Sequence, residues 1–253
     1  MKHLTDVPYT LAAHPEQKLD LYLPDDAASF PLFLYFHGGG IESGDKAIEG
    51  VAKTLTDRGI AVASANYRMY PEARYPDFIC DAAAACAWVK KHIGEYGSCE
   101  KIFVGGSSAG GYLSMMLCFD PKYLAPYGLK PTDFAGFIHD AGQPTTHFNV
   151  LRERGLDPRR VIVDEAAPLF YVTAETAGRV PPMLLIVSDN DIPARYEQMM
   201  LFMAQMKKTG FDMDKVQIKV MHGTHCAYCN AKDGHGDSIL GLICCEYITK
   251  QLA

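Results

Sequence analysis

A buried-type strand that runs straight into Gly-x-Ser-x-Gly and then into a helix-forming stretch leaves this chain few architectures. Ile102-Phe103-Val104 leads into Gly105-Gly106-Ser107-Ser108-Ala109-Gly110-Gly111, and Tyr112 to Cys118 carries helical character. A turn of this kind holds the serine in a strained strand-to-helix bend. Gly106 and Gly110 are needed there, because a Cβ at either place collides with neighbouring backbone. Ser108 Oγ is thereby pushed into the open, and the helix behind it aims N–H groups and its positive dipole end at developing negative charge. Ser107 lies one residue out of register. The competing account is a glycine-rich turn whose serines only cap a helix, and the strand before and helix after weigh against it.

A second glycine cluster lies upstream, where Leu32 to Phe36 runs into His37-Gly38-Gly39-Gly40. Three glycines after a buried strand let peptide N–H groups point into a cavity, and each preorganised donor about 3 Å from an oxyanion lowers an acyl-transfer barrier by roughly 3 to 4 kcal/mol. Gly38 and Gly39, with Ala109, are the candidate oxyanion-hole donors. A phosphate-binding loop is the alternative, but the Lys-Ser/Thr it requires does not follow. His37 reads as a hydrogen-bonder that holds the loop.

Around these motifs, short apolar runs alternate with amphipathic stretches, as in βαβ units about a mainly parallel sheet. Strands are predicted at Lys18–Leu23, Leu32–Phe36, Ile60–Ser64, Ile102–Val104, Phe134–His139, Met183–Val187 and Val216–Met221, and helices at Lys46–Arg58, Asp77–Ile93, Ala194–Lys208 and Ser238–Leu252. The proline-rich segment 142–181 is too long for an ordinary connection and reads as a small lid within a single domain spanning 1–253. A net charge of −6 opposes nucleic acid and anionic membranes. No apolar run reaches transmembrane length, and Met1 to Leu11 lacks a signal-peptide core, so a cytoplasmic address is expected. The eight cysteines lack the density of a disulfide scaffold, and most read as reduced and buried.

His-Gly-Gly-Gly, Gly-Ser-Ser-Ala-Gly-Gly and, between them, Asn66-Tyr67-Arg68-Met69-Tyr70-Pro71-Glu72 with Tyr75-Pro76, Asp81 and Trp88 resemble the hormone-sensitive-lipase-like esterases of the α/β-hydrolase class. The resemblance implies an α/β-hydrolase fold with a mostly parallel, eight-stranded sheet flanked by helices. It also implies a Ser-Asp-His triad in that chain order, hydrolysis of carboxylic esters, and no cofactor. The family's acid pattern falls on Asp191, with Asp189 the alternative, and its final histidine pattern falls on His225, with His222 the alternative. The carboxylate would fix the imidazole tautomer and stabilise the imidazolium formed when the serine loses its proton.

His222, His225, Cys226, Cys229 and His235 crowd one segment and include Cys-x-x-Cys. Committing His225 to a metal would remove the base the serine needs, so no metal is expected there. The small lid implies an open site and a small-molecule substrate with a short acyl group, acetylated carbohydrate and aryl esters included. An arylformamidase is the nearest enzymatic rival, and a ligand-binding protein on the same fold is the rival from another class. Ile41 and Cys226 depart from the family's usual pocket lining. Self-association, as a homo-oligomer, is left open.

Overall fold

In a computed structural model, residues 1–12, 14–25, 28–99 and 101–252 are described. The elements run β1 (Lys2–Pro8), β2 (Lys18–Leu23), β3 (Leu32–Phe36), α1 (Glu49–Thr56), β4 (Ala61–Ala65), α2 (Asp77–His92), β5 (Ile102–Ser107) and α3 (Ala109–Phe119). They continue with β6 (Gly136–Asp140), α4 (Phe148–Glu153), β7 (Met183–Asn190), α5 (Arg195–Lys208), β8 (Val216–Thr224) and α6 (Ile239–Leu252). All eight strands form one sheet in the order β1-β2-β4-β3-β5-β6-β7-β8. β1 and β2 run antiparallel to their neighbours, and the pairs from β4 onward are parallel. This is the α/β-hydrolase arrangement.

Strand periodicity divides the core. Leu32, Leu34 and Phe36 face one side of β3 and join the cluster built with Ile79, Met115, Phe119 and Phe202 from α2, α3 and α5. Phe33 and Tyr35 face the other side, where Val51, Leu55, Ile243 and Tyr247 from α1 and α6 cover the sheet. Side chains alternate across a pleated strand, so a central strand apolar at every position is a strand covered on both faces.

The differences from the sequence-based expectations have local causes. Lys2–Pro8 forms an edge strand where only a leader is expected. It buries no residue fully, so it carries no hydrophobic alternation to read. α1 begins at Glu49, later than expected, and Lys46 lies outside it, paired with Asp20 at 3.0 Å. Of the cysteines, Cys86, Cys118 and Cys244 are buried, Cys80 is exposed, and the other four are half-buried, so burial of most of them is not what the fold produces. Among the described residues no helix is long and apolar enough to cross a membrane.

Arg68 and Asp81 show why their segment reads as architectural. The guanidinium donates Nε to Oδ2 at 2.9 Å and Nη2 to Oδ1 at 2.8 Å, and Gln17 donates to the same carboxylate at 2.6 Å. This fork ties the residues after β4 to α2 beneath the first glycine loop.

Candidate active site

Ser108 follows β5 with φ 55° and ψ −110°, outside the regions an L-residue occupies freely. Such strain persists only where surrounding structure over-determines it. Here the elbow crosses the end of β3, and a Cβ on either Gly106 or Gly110 would overlap the Phe36 carbonyl oxygen. The Ser108 N–H donates to the Asp140 carbonyl at 2.7 Å. α3 starts at Ala109, three residues earlier than the sequence suggests, because this close crossing selects glycine at positions where helix propensity does not.

His225 lies after β8 and reaches back to the elbow. Its Nε2 stands 2.8 Å from Ser108 Oγ, and its Nδ1 stands 2.5 Å from Asp191 Oδ1. Asp191 follows β7, its side chain fully enclosed, and accepts from the Ile192 N–H at 2.7 Å. Burial would raise its carboxyl, but the hydrogen bond and charge of His225 hold it below the ordinary range. Burial would lower His225, yet hydrogen bonds to Asp191 and Cys226 carry it up to about 9. At neutral pH a ring held that high is largely protonated, so the neutral form that can take the serine proton is expected to grow as pH rises toward about 9.

The alternative pair also meets, but elsewhere. His222 Nδ1 is 2.6 Å from Asp189 Oδ2, and the Gly223 N–H donates to Asp189 Oδ1 at 2.9 Å. The His222 side chain is 97% exposed, which places this pair on the outside of the sheet's rim. His235 is exposed as well, so the histidines of the His/Cys-rich segment do not converge.

Gly38 brings the first glycine loop against the serine: a Cβ there would lie 3.2 Å from Ser108 Cβ. The Gly38 and Gly39 N–H groups have no backbone acceptor among the described residues. His37 stays out of the cleft. Its Nδ1 donates to the Gly38 carbonyl at 2.7 Å, its ring stacks on Tyr67, and burial lowers its pKa so that it remains neutral. A cleft of about 510 Å³ joins Gly38, Gly39, Ser108 and His225, walled by Phe148, Ile192 and Cys226.

Three residues of this neighbourhood escape sequence reasoning. Phe148 comes from α4 in the 142–181 segment and sits over Gly40, where Asn149 also donates to the Gly40 carbonyl at 3.0 Å. Asp140 ends β6 behind the serine, fully buried, and accepts from Ser107 Oγ and Tyr228 OH. Tyr228 joins it from the turn after His225. An acidic residue at the carboxyl end of a parallel strand is the only signal the sequence offers for Asp140.

A family model described as BD-FAE matches residues 19–123, a span that includes both glycine motifs and stops before Asp191 and His225. The carboxylic ester hydrolase LipN of Mycobacterium tuberculosis is 33% identical over 198 residues, covering 70% of this chain and 52% of LipN. The esterase LipC of the same organism is 29% identical over 216 residues, covering 76% of this chain and 53% of LipC. The chain thus spans about half the length of these curated relatives. Among solved structures, a truncated carbohydrate esterase from gut microbiota superposes with a TM-score of 0.77 at 19% identity, covering 99% of this chain and 96% of that one. An esterase of Thermogutta terrifontis gives 0.74 at 24% identity, with 99% and 92% covered. At these identities the likeness concerns the fold.

Proposed function

We propose that this chain, an α/β-hydrolase related to the hormone-sensitive-lipase-like carboxylic ester hydrolases, is a serine carboxylesterase for short-acyl esters. The observation that carries the reading is the hydrogen-bonded run from Ser108 Oγ through His225 to the enclosed Asp191, opening on a cleft beside Gly38 and Gly39.

Neutral His225 takes the proton of Ser108 Oγ as the oxygen attacks the ester carbonyl. The N–H groups of Gly38, Gly39 and Ala109 receive the oxyanion, and Asp191 stabilises the imidazolium. His225 then returns the proton to the departing alcohol, leaving an acyl-serine. Water, deprotonated by the same imidazole, attacks the acyl carbon and frees the acid. The cycle ends with Ser108 and His225 in their starting states. Labelling with a fluorophosphonate followed by peptide mapping tests this. One adduct on the Ser108 peptide, formed more slowly when excess phenyl acetate is present during labelling, is expected, and an adduct elsewhere or none overturns the assignment.

The 142–181 segment acts as the lid of this single domain and shortens the acyl site through Phe148, which lines the cleft together with Ile192. In a p-nitrophenyl ester series, acetate and butyrate turn over faster than decanoate. Phe148→Ala raises the long-to-short ratio by about tenfold, the scale set by a few methylenes in an apolar pocket. An unchanged ratio would remove Phe148 from the acyl site.

A further inference from the structure

Directly behind the candidate nucleophile, three potential metal donors converge from two separate segments. Asp140 ends β6, and Cys226 and Cys229 come from the turn after β8. One donor atom of each lies within 4.8 Å of the other two. Cys229 Sγ is 3.4 Å from Asp140 Oδ2 and 3.8 Å from Ser107 Oγ. With zinc–sulfur bonds of about 2.3 Å and zinc–oxygen bonds of about 2.0 Å, tetrahedral angles separate a sulfur and an oxygen ligand by roughly 3.5 Å. The cysteine–carboxylate spacing already has that value.

A second observation is electrostatic. Asp140 is 1% exposed and, among the described residues, forms no ion pair with a lysine, arginine or histidine. Its partners are the neutral hydroxyls of Ser107 and Tyr228 and the Cys229 thiol. A buried carboxylate is ordinarily paired with a cation or coordinates one. Cys226 also holds a left-handed backbone, φ 54° and ψ 20°, at the start of the Cys-x-x-Cys turn. A left-handed non-glycine residue of this kind is retained where the surrounding fold fixes its direction.

We propose that Asp140, Cys226 and Cys229 form a binding site for a soft divalent cation of the zinc type, opening on the cleft that holds Ser108. The sequence sets metal binding against catalysis because it offers His225 to both. The tertiary arrangement removes that conflict, since His225 is engaged by Ser108 and Asp191 and the third donor is Asp140. Two thiols, one carboxylate and Zn²⁺ give a bis-thiolate carboxylate complex, and two protons pass to solvent. Three protein ligands leave the fourth tetrahedral position for Ser107 Oγ or a water entering from the cleft, where Ser107, Cys226 and Cys229 are all part of the lining.

The test uses the full chain, reduced and stripped with a chelator, then titrated with Zn²⁺ against a chromophoric competitor and separately with Co²⁺. One equivalent of zinc, thiolate-to-cobalt charge-transfer absorption and a rise in Tm with zinc are expected. Cys229→Ser and Cys226→Ser each weaken zinc binding at least a hundredfold, beyond the roughly 10- to 100-fold that follows loss of an outer-shell partner. His222→Ala and His235→Ala leave it unchanged. No stoichiometric zinc, no charge-transfer band in the wild-type protein, or loss of binding in the histidine variants instead of the cysteine variants overturns the proposal. None of these readouts depends on ester hydrolysis, so the outcome is separable from the reading of Ser108.

Discussion

Ser108→Ala is expected to lower kcat for p-nitrophenyl acetate by about 10⁴- to 10⁶-fold with the fold intact. The magnitude follows from what the hydroxyl does. Without it no acyl-enzyme forms, and what survives is the rate supplied by the oxyanion donors and by substrate binding, roughly 10³- to 10⁴-fold over water in hydrolases of this type. The substitution removes one oxygen at a site open to the cleft, and alanine must adopt the same φ of 55°, so the folded state keeps its packing. Burst kinetics of nitrophenol release and circular dichroism, measured on the same preparation, check both halves. Wild-type turnover in the variant would show that another group carries the chemistry.

The second large effect separates two carboxylates only two residues apart. Asp191→Asn should reduce kcat by about 10⁴-fold, because an amide in place of the carboxylate leaves His225 in the wrong tautomer and its imidazolium unsupported. Asp189→Asn should change kcat by less than about threefold, since its histidine partner is 97% exposed on the outer rim and an exposed pair contributes at most about 1 kcal/mol. Steady-state kinetics on both variants decide the matter. Equal losses, or a larger loss from Asp189→Asn, would move the triad to the outer pair.

Much of the layout is legible from local pattern. The strands Lys18–Leu23 and Leu32–Phe36 end where their apolar runs end. α5 and α6 likewise stop close to where the periodicity stops. β1 is silent because an exposed edge strand is held by backbone hydrogen bonds and needs no apolar face. α4 is equally silent, at six residues too short for a helical period to establish itself.

At the site, the amino-acid order alone points to the candidate nucleophile, the glycines of the elbow and the first glycine loop. These roles need special backbone conformations within a few consecutive residues, and such demands leave their mark on residue type. It also put forward Asp191 and His225 as acid and base, with Asp189 and His222 as the alternatives. Which of them meet is a tertiary matter, because a register shift between Ser188 and Asn190 lies where β7 meets β8. A shift of this kind re-aims the side chains that follow it. It leaves Asp189 with His222 on the rim and turns Asp191 and His225 inward to Ser108. The meeting of Asp140 with Cys226 and Cys229 is tertiary in the same sense: strand order places distant segments side by side, and spacing along the chain has no access to that contact.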